Sequence, residues 1–221
     1  MTASVDCMGF AGIPHDAVDF YRELEANNSR EWWLANKARW ERSVRGPFHE
    51  LAELLEPAFG ETKVFRPNRD VRFSHDKSPY KTHQGLYVRT GTRAGWYLQV
   101  DSGGVRLGGG SWWFAPDQLA DFRAAVAEDI AGRRLERILA ELTEAGYEVH
   151  GEQLATRPRG VAADAPRLDL LRRKALSAML DCGRPEWMAG PELADYVHDG
   201  WDEARPLVEW IEQYVGGRGT Q

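Results

Sequence analysis

Midway along this chain the spacing of apolar residues changes from helical to alternating, and the connections there become short. From Val64 to Phe114 the runs KVFRPNRDVRFS, GLYVRT, GWYLQVD and VRLGGGSWWF alternate apolar and polar side chains between turn residues. A parallel crossover needs roughly a dozen residues or more, so strands joined this tightly must run antiparallel. Asp101-Ser102-Gly103-Gly104 reads as a hairpin turn, because glycine accepts the positive φ that tight hairpins require.

Helical spacing brackets this region. His15 to Ala26 places Val18, Phe20, Tyr21 and Leu24 near one face, and Ser29 is a good N-cap for REWWLANKARWERSV, whose Trp33, Trp40 and Val44 share a stripe. Pro47 opens a third helix, which Pro57 and Gly60 interrupt. Beyond the strands, helices are expected at Pro116 to Ile130, Gly132 to Ala145, Leu168 to Leu180 and Glu203 to Val215. A short extended piece lies within Tyr147 to Leu154, and TRPRGVAADAPR is a loop. The predicted fold is α+β: a central antiparallel sheet of about four to six strands, roughly residues 64–114, flanked by N-terminal and C-terminal helices, in a single domain over residues 1–221.

An apolar content of 43% with nine tryptophans is ample for a core in 221 residues. The formal charge of −6 and a pI near 5.6 disfavour general attraction to nucleic acid or an anionic membrane, so any anion must be held by a local patch. Cys7 and Cys182 supply neither a disulfide framework nor a paired-thiol metal spacing, a usage that fits a reducing cytoplasm. No window reaches the roughly 18 to 20 apolar residues of a membrane span, and no basic, then apolar leader opens the chain. His15, His49, His75, His83, His150 and His198 are scattered without metal-ligand spacing, so neither metal nor cofactor is expected.

The stretch VRFSHDKSPYKTH, Val71 to His83, concentrates the polar chemistry. Between Arg66 and His83 three arginines and two lysines face two aspartates, so this segment carries +3 and the rest of the chain −9. On an extended backbone Phe65, Arg69, Val71 and Phe73 share one side, and Arg66, Asn68, Asp70 and Arg72 the other. Arginine forks, lysine point charges and hydroxyls suit phosphate or carboxylate recognition. The candidate ligand-binding residues are Arg69, Arg72, Ser74, Lys77, Ser78, Tyr80 and Lys81, with Asp70 and Asp76 holding the cations in place. His75 and His83 are candidate acid–base groups. Ser74-His75-Asp76 has the residue types of a hydrolase triad, but adjacent side chains diverge, whereas a working triad converges in space. The same charges also suit an internal ion-pair network that ties strand to loop, and composition leaves both readings open.

RDVRFSHDKSPYKTH resembles the signature R-D-x-R-F-S-x-D-K-[ST]-P-Y-K-T-H of an uncharacterised, mostly bacterial domain-of-unknown-function family. NNSREWWLANKARW is similar to that family's N-N-x-R-E-W-F-x-x-N-K-x-x-Y, with Trp33 and Trp40 at the aromatic positions. LGGGSWWFAPDQLADFRAAV resembles its glycine, tryptophan and proline segment before an arginine-bearing helix. TRPRGVAADAPRLDLLRRK resembles its P-x-G and L-L-R-x-K segment, with Ala165 in place of histidine. The resemblance covers roughly residues 10 to 214. It implies a small cytoplasmic α+β protein and names no reaction.

Other features carry structural readings. Gly108-Gly109-Gly110 lacks the lysine of a phosphate loop and reads as a bulge or tight crossing beside Trp112 and Trp113. Trp96, Trp112 and Trp113 suit a core or groove, and Arg172-Arg173-Lys174 suits the solvent face of a helix. Three functions remain open. One is an anion-binding module, using strand–loop 66–83, for a phosphorylated small molecule, a carboxylate or a nucleic-acid end. The others are a metal-independent hydrolase or transferase at a phosphoester, and a scaffold for a protein partner or a second copy.

Overall fold

The computed structural model describes residues 9–70, 77–91 and 93–216. The elements run α1 (Asp16–Ala26), α2 (Arg30–Trp40), a π turn (Glu41–Arg45), α3 (Gly46–Phe59), β1 (Thr62–Val64), β2 (His83–Thr90), β3 (Ala94–Asp101), β4 (Gly104–Ser111), α4 (Pro116–Ala127), α5 (Asp129–Glu144), β5 (Glu148–His150), α6 (Leu168–Leu171), β6 (Leu176–Gly183), a 3₁₀ turn (Glu186–Ala189) and α7 (Leu193–Tyr214). The fold is α+β, with one antiparallel sheet in the order β1-β2-β3-β4-β6-β5. Four of its six strands come from the alternating region; β5 and β6 come from beyond it.

The expected helix Leu168 to Leu180 is the main correction. It stops after one turn, and Leu176–Gly183 forms β6 instead, between β4 and β5. A short apolar run cannot be assigned by periodicity alone, and backbone pairing decided this one. The glycines of β4 make the pairing possible. A Cβ at Gly104 would overlap the carbonyl of Gly183, one at Gly108 the carbonyl of Ala178, and one at Gly110 would lie 2.5 Å from the carbonyl of Leu176. Partner numbers fall as glycine numbers rise, which is the antiparallel register. The glycine triplet is thus a close crossing of backbones.

Arg172-Arg173-Lys174 is also corrected: it lies in the turn between α6 and β6 rather than on a helix. Arg172 donates from Nε to Leu154 O (2.9 Å), and Lys174 pairs with Glu152. Smaller differences concern helix ends. α3 continues past Pro57 to Phe59 and is stopped by Gly60 at φ +100. Glu128, extended and capping α5 through Ile130 N and Ala131 N, separates α4 from α5.

The chain packs as two compact units. Of the described residues, the first holds 9–70, 77–88, 97–107 and 181–199. In it Ser29 caps α2 as expected, accepting from Trp32 N (3.2 Å). Phe20, Tyr21, Trp33, Trp40, Val44, Phe48 and Leu51 are buried, so the helical stripes read from sequence form this unit's core. Each such large side chain contributes about 1.5–3 kcal/mol through removal from water. Arg39 clamps α2 to α1: Nη2 donates to Asp16 Oδ1 (2.7 Å) and Nη1 to Glu23 Oε2 (2.9 Å), while its guanidinium lies over the Phe20 ring.

Of the described residues, the second unit holds 89–91, 93–96, 108–180 and 200–216. Trp201, Trp210 and Phe122 are fully buried, and the indoles keep their hydrogen bonds: Trp210 Nε1 donates to Ala131 O (3.0 Å) and Trp96 Nε1 to Trp201 O (3.1 Å). Glu212 closes the β2–β3 turn by accepting from Thr90 Oγ1 (3.1 Å) and Ala94 N (3.0 Å). Among the described residues no helix is long and apolar enough to cross a membrane.

Candidate functional site

The basic strand–loop enters the first unit through β1, where Lys63 pairs with Tyr87 and Val64 with Leu86. Beyond Val64 regular pairing lapses, although the strand-like course continues. Phe65 N donates to Gly85 O (2.9 Å), Lys81 N to Pro67 O (2.8 Å) and Arg69 N to Pro79 O (3.0 Å). Asn68 and Tyr80 form an isolated antiparallel bridge. Among the described residues the predicted strand KVFRPNRDVRFS is therefore regular only at Lys63 and Val64, and Val71 to Ser74 lie outside them. Its two-sided character persists through Asp70: Phe65 and Arg69 are half-buried, whereas Arg66, Asn68 and Asp70 are exposed.

The loop is tied down at Tyr80. The residue is only 8% exposed, and its ring stacks on Trp33, with centroids 4.2 Å apart and planes 11° from parallel. Its backbone is gripped by the Asn28 carboxamide, which donates from Nδ2 to Tyr80 O (2.9 Å) and accepts from Tyr80 N (3.2 Å). The next residue, Lys81, is half-buried, and its Nζ lies over the Phe65 ring, 4.9 Å from the centroid. Burial pulls the Lys81 pKa down, and the charges acting on it among the described residues, Arg66, Lys63 and Arg69, lower it further.

His83 opens β2 and shares its outward side with Lys81. Burial lowers its pKa first; Lys81 and Arg69 add to the depression and Asp101 opposes it. Alongside, β3 presents Tyr97, Gln99 and Asp101 on one face at strand spacing. Tyr97 Oη donates to Gln99 Oε1 (2.9 Å), and Gln99 Nε2 donates to Asp101 Oδ2 (2.7 Å). Arg106 approaches Asp101 (3.8 Å) and Asp181 (3.2 Å). The Tyr97 ring lies 6.2 Å from that of Phe65. Gly85 makes room for both: a Cβ there would sit 2.8 Å from Tyr97 Oη and 2.9 Å from Phe65 Cδ2. Burial pushes the Tyr97 phenol up to about 12, so it remains a neutral hydrogen-bonding group. The result is an aromatic floor edged by cations.

The family model described as conserved hypothetical protein (DUF2461) matches residues 16–210. The chain belongs to this family. The match runs from α1 into α7 and includes the whole basic strand–loop. No curated protein and no solved structure matches the chain.

Of the residues singled out in the sequence, Arg72, Ser74, His75 and Asp76 lie outside the described residues. Arg69, Asp70, Lys77 and Ser78 each hold further contacts in the fold. The Lys81 charge acts on His83, and Tyr80, just before Lys81 in sequence, is an anchor stacked on Trp33. Sequence reasoning missed Lys63, Phe65 and the Tyr97-Gln99-Asp101 row. Strand alternation carries a signal for the row, because residues two apart on β3 must share a face. Its position beside His83 depends on strand pairing. Among the described residues no group of three or more His, Cys, Asp or Glu side chains is placed to hold a metal ion.

Proposed function

We propose that this protein is an anion-binding module, and that strand–loop 66–83, with Lys63 on β1, holds a phosphate- or carboxylate-bearing ligand. One observation carries the reading: half-buried Lys81 lies over the Phe65 ring on the same strand–loop as Arg66 and Arg69, whose charges, with that of Lys63, act on it. Cations gathered at a desolvated position repel one another, and a bound anion offsets that cost. Arginine supplies forked contacts and lysine a point charge, the combination suited to phosphate. The aromatic floor keeps Lys81 extended over Phe65, and the Asn28 clamp fixes the backbone from which Lys81 projects.

Calorimetric titration with inorganic phosphate and with a phosphorylated sugar tests the reading, comparing the unmodified protein with Lys81→Met and Arg66→Gln. Either substitution weakens binding by about tenfold, roughly 1.4 kcal/mol, and added salt weakens it further. Unchanged affinity in both variants, with melting curves intact, overturns the proposal.

A further inference from the structure

A second cluster lies in the other unit, on residues that the anion site does not use. β4 ends at Ser111 and β6 begins at Leu176, and their antiparallel register brings these two ends side by side. Trp113 therefore leaves the sheet at the corner where Arg173 enters it. Helix α4 reaches the same place: Arg123 Nε donates to Leu171 O (3.1 Å), two residues before Arg173.

The chemistry at this corner is unbalanced. Arg123 and Arg173 are both half-buried, and burial lowers the pKa of each. The hydrogen bond of Arg123 goes to a neutral carbonyl, and among the described residues the buried Nε of Arg173 has no hydrogen-bond partner. Asp169 acts on Arg173 from a distance, but its carboxylate is solvated and lies 3.7 Å from Arg172. Neighbouring cations are already engaged, Arg172 with the carbonyls of Leu154 and Ala155 and Lys174 with Glu152. A desolvated guanidinium with an empty donor is costly, and an anion with oxygen acceptors satisfies both the charge and the N–H. Just past the end of β4 in the same register, Trp113 is 70% exposed, while its backbone is held by Ser111 Oγ donating to Trp113 O (2.9 Å). An exposed indole on a fixed backbone is a stacking platform.

We propose that Arg123, Arg173 and Trp113 form a second ligand site, which takes a flat ring bearing an anionic group. The arginines hold the anion and the indole stacks on the ring. Trp113 is 70% exposed and Arg173→Gln keeps an unbranched polar chain, so Arg173→Gln and Trp113→Ala are both expected to keep the fold, which melting curves check.

Calorimetric titration of the full chain with adenosine 5′-monophosphate, ribose 5-phosphate and adenosine tests the site. Adenosine 5′-monophosphate binds more tightly than either the sugar phosphate, which lacks the flat base, or the uncharged nucleoside. Arg173→Gln and Trp113→Ala each weaken it at least about tenfold, while Lys81→Met leaves this binding in place. Loss of the same binding in Lys81→Met alone, equal affinity in all four proteins, or no binding of the nucleotide overturns the second site. Loss in Lys81→Met alone would place the nucleotide at the anion site and leave that reading standing, and the inorganic phosphate titrations of Lys81→Met and Arg66→Gln read that site separately.

Discussion

Asn28 and Tyr80 stand 52 residues apart and exchange two hydrogen bonds, one carboxamide pairing with both backbone groups of one residue. The side chain acts as a one-residue strand edge. It satisfies the N–H and C=O of Tyr80 where β2 has not yet begun, and it ties the basic loop to the junction of α1 and α2. Asn28→Ala leaves both groups without these partners in a part-buried setting, at a cost of about 1–3 kcal/mol. Urea denaturation reads that cost, and hydrogen exchange at Tyr80 and Lys81 speeds up in the variant. Unchanged exchange there shows that the Trp33 stack and the backbone bonds to Pro67 and from Arg69 hold the loop without the carboxamide.

Lys81→Met removes a charge but keeps an unbranched chain over Phe65. Stability is expected to stay level or rise by up to about 0.5–1 kcal/mol, because a repelled, partly desolvated cation has gone. Phosphate affinity falls in the same protein. A clear loss of stability contradicts this account, since it means that Lys81 is held by an internal carboxylate.

His83 has a folded-state pKa below its ordinary 6.5, with burial as the leading cause. Below pH 6.5 the unfolded chain therefore binds more protons than the folded one. The stability contribution is complete above about pH 6.5 and is lost as pH falls through the window down to the folded value. Denaturation midpoints measured between neutral and mildly acidic pH decline, and His83→Gln flattens that decline. Phosphate also flattens it, because an anion beside Lys81 favours the imidazolium.

Arg39 joins Asp16 and Glu23 through forked hydrogen bonds, and Asp16 also accepts from Ser43 Oγ (2.7 Å). The Arg39 guanidinium holds the Asp16 carboxyl below the usual carboxylate range. Arg39→Ala strips the carboxylate of its main donor and is expected to cost about 1.5–3 kcal/mol by thermal or urea denaturation. Arg39→Lys recovers only part of this, because one ammonium cannot reproduce the fork.

Gly108→Ala places a methyl group against the Ala178 carbonyl at the β4–β6 pairing. Backbone cannot move aside as a flexible side chain does, so the cost is about 3 kcal/mol or more. Gly60→Ala meets no atom within 4 Å and suffers only from its φ of +100, which makes it the milder control. Comparable melting temperatures for the two would show that steric approach is not why β4 carries glycine.

Local pattern was enough for much of this molecule. Residues four apart on a helix and two apart on a strand share a face whatever surrounds them, so α1, α2, the Ser29 cap and strands β2 to β4 were legible in the sequence. The excess of cations between Arg66 and His83 was legible too, because charge is a property of residue type. Tertiary structure alone decided the rest. Leu176–Gly183 became a strand because glycines in β4 let its backbone approach, and no local rule sees a partner at that distance in sequence. Likewise Lys63 joined the basic cluster through its place on β1, and Tyr80 proved to be an anchor through its stack on Trp33. Residue identity states which charges and rings a chain carries; which of them meet is set by strand pairing and packing between distant segments.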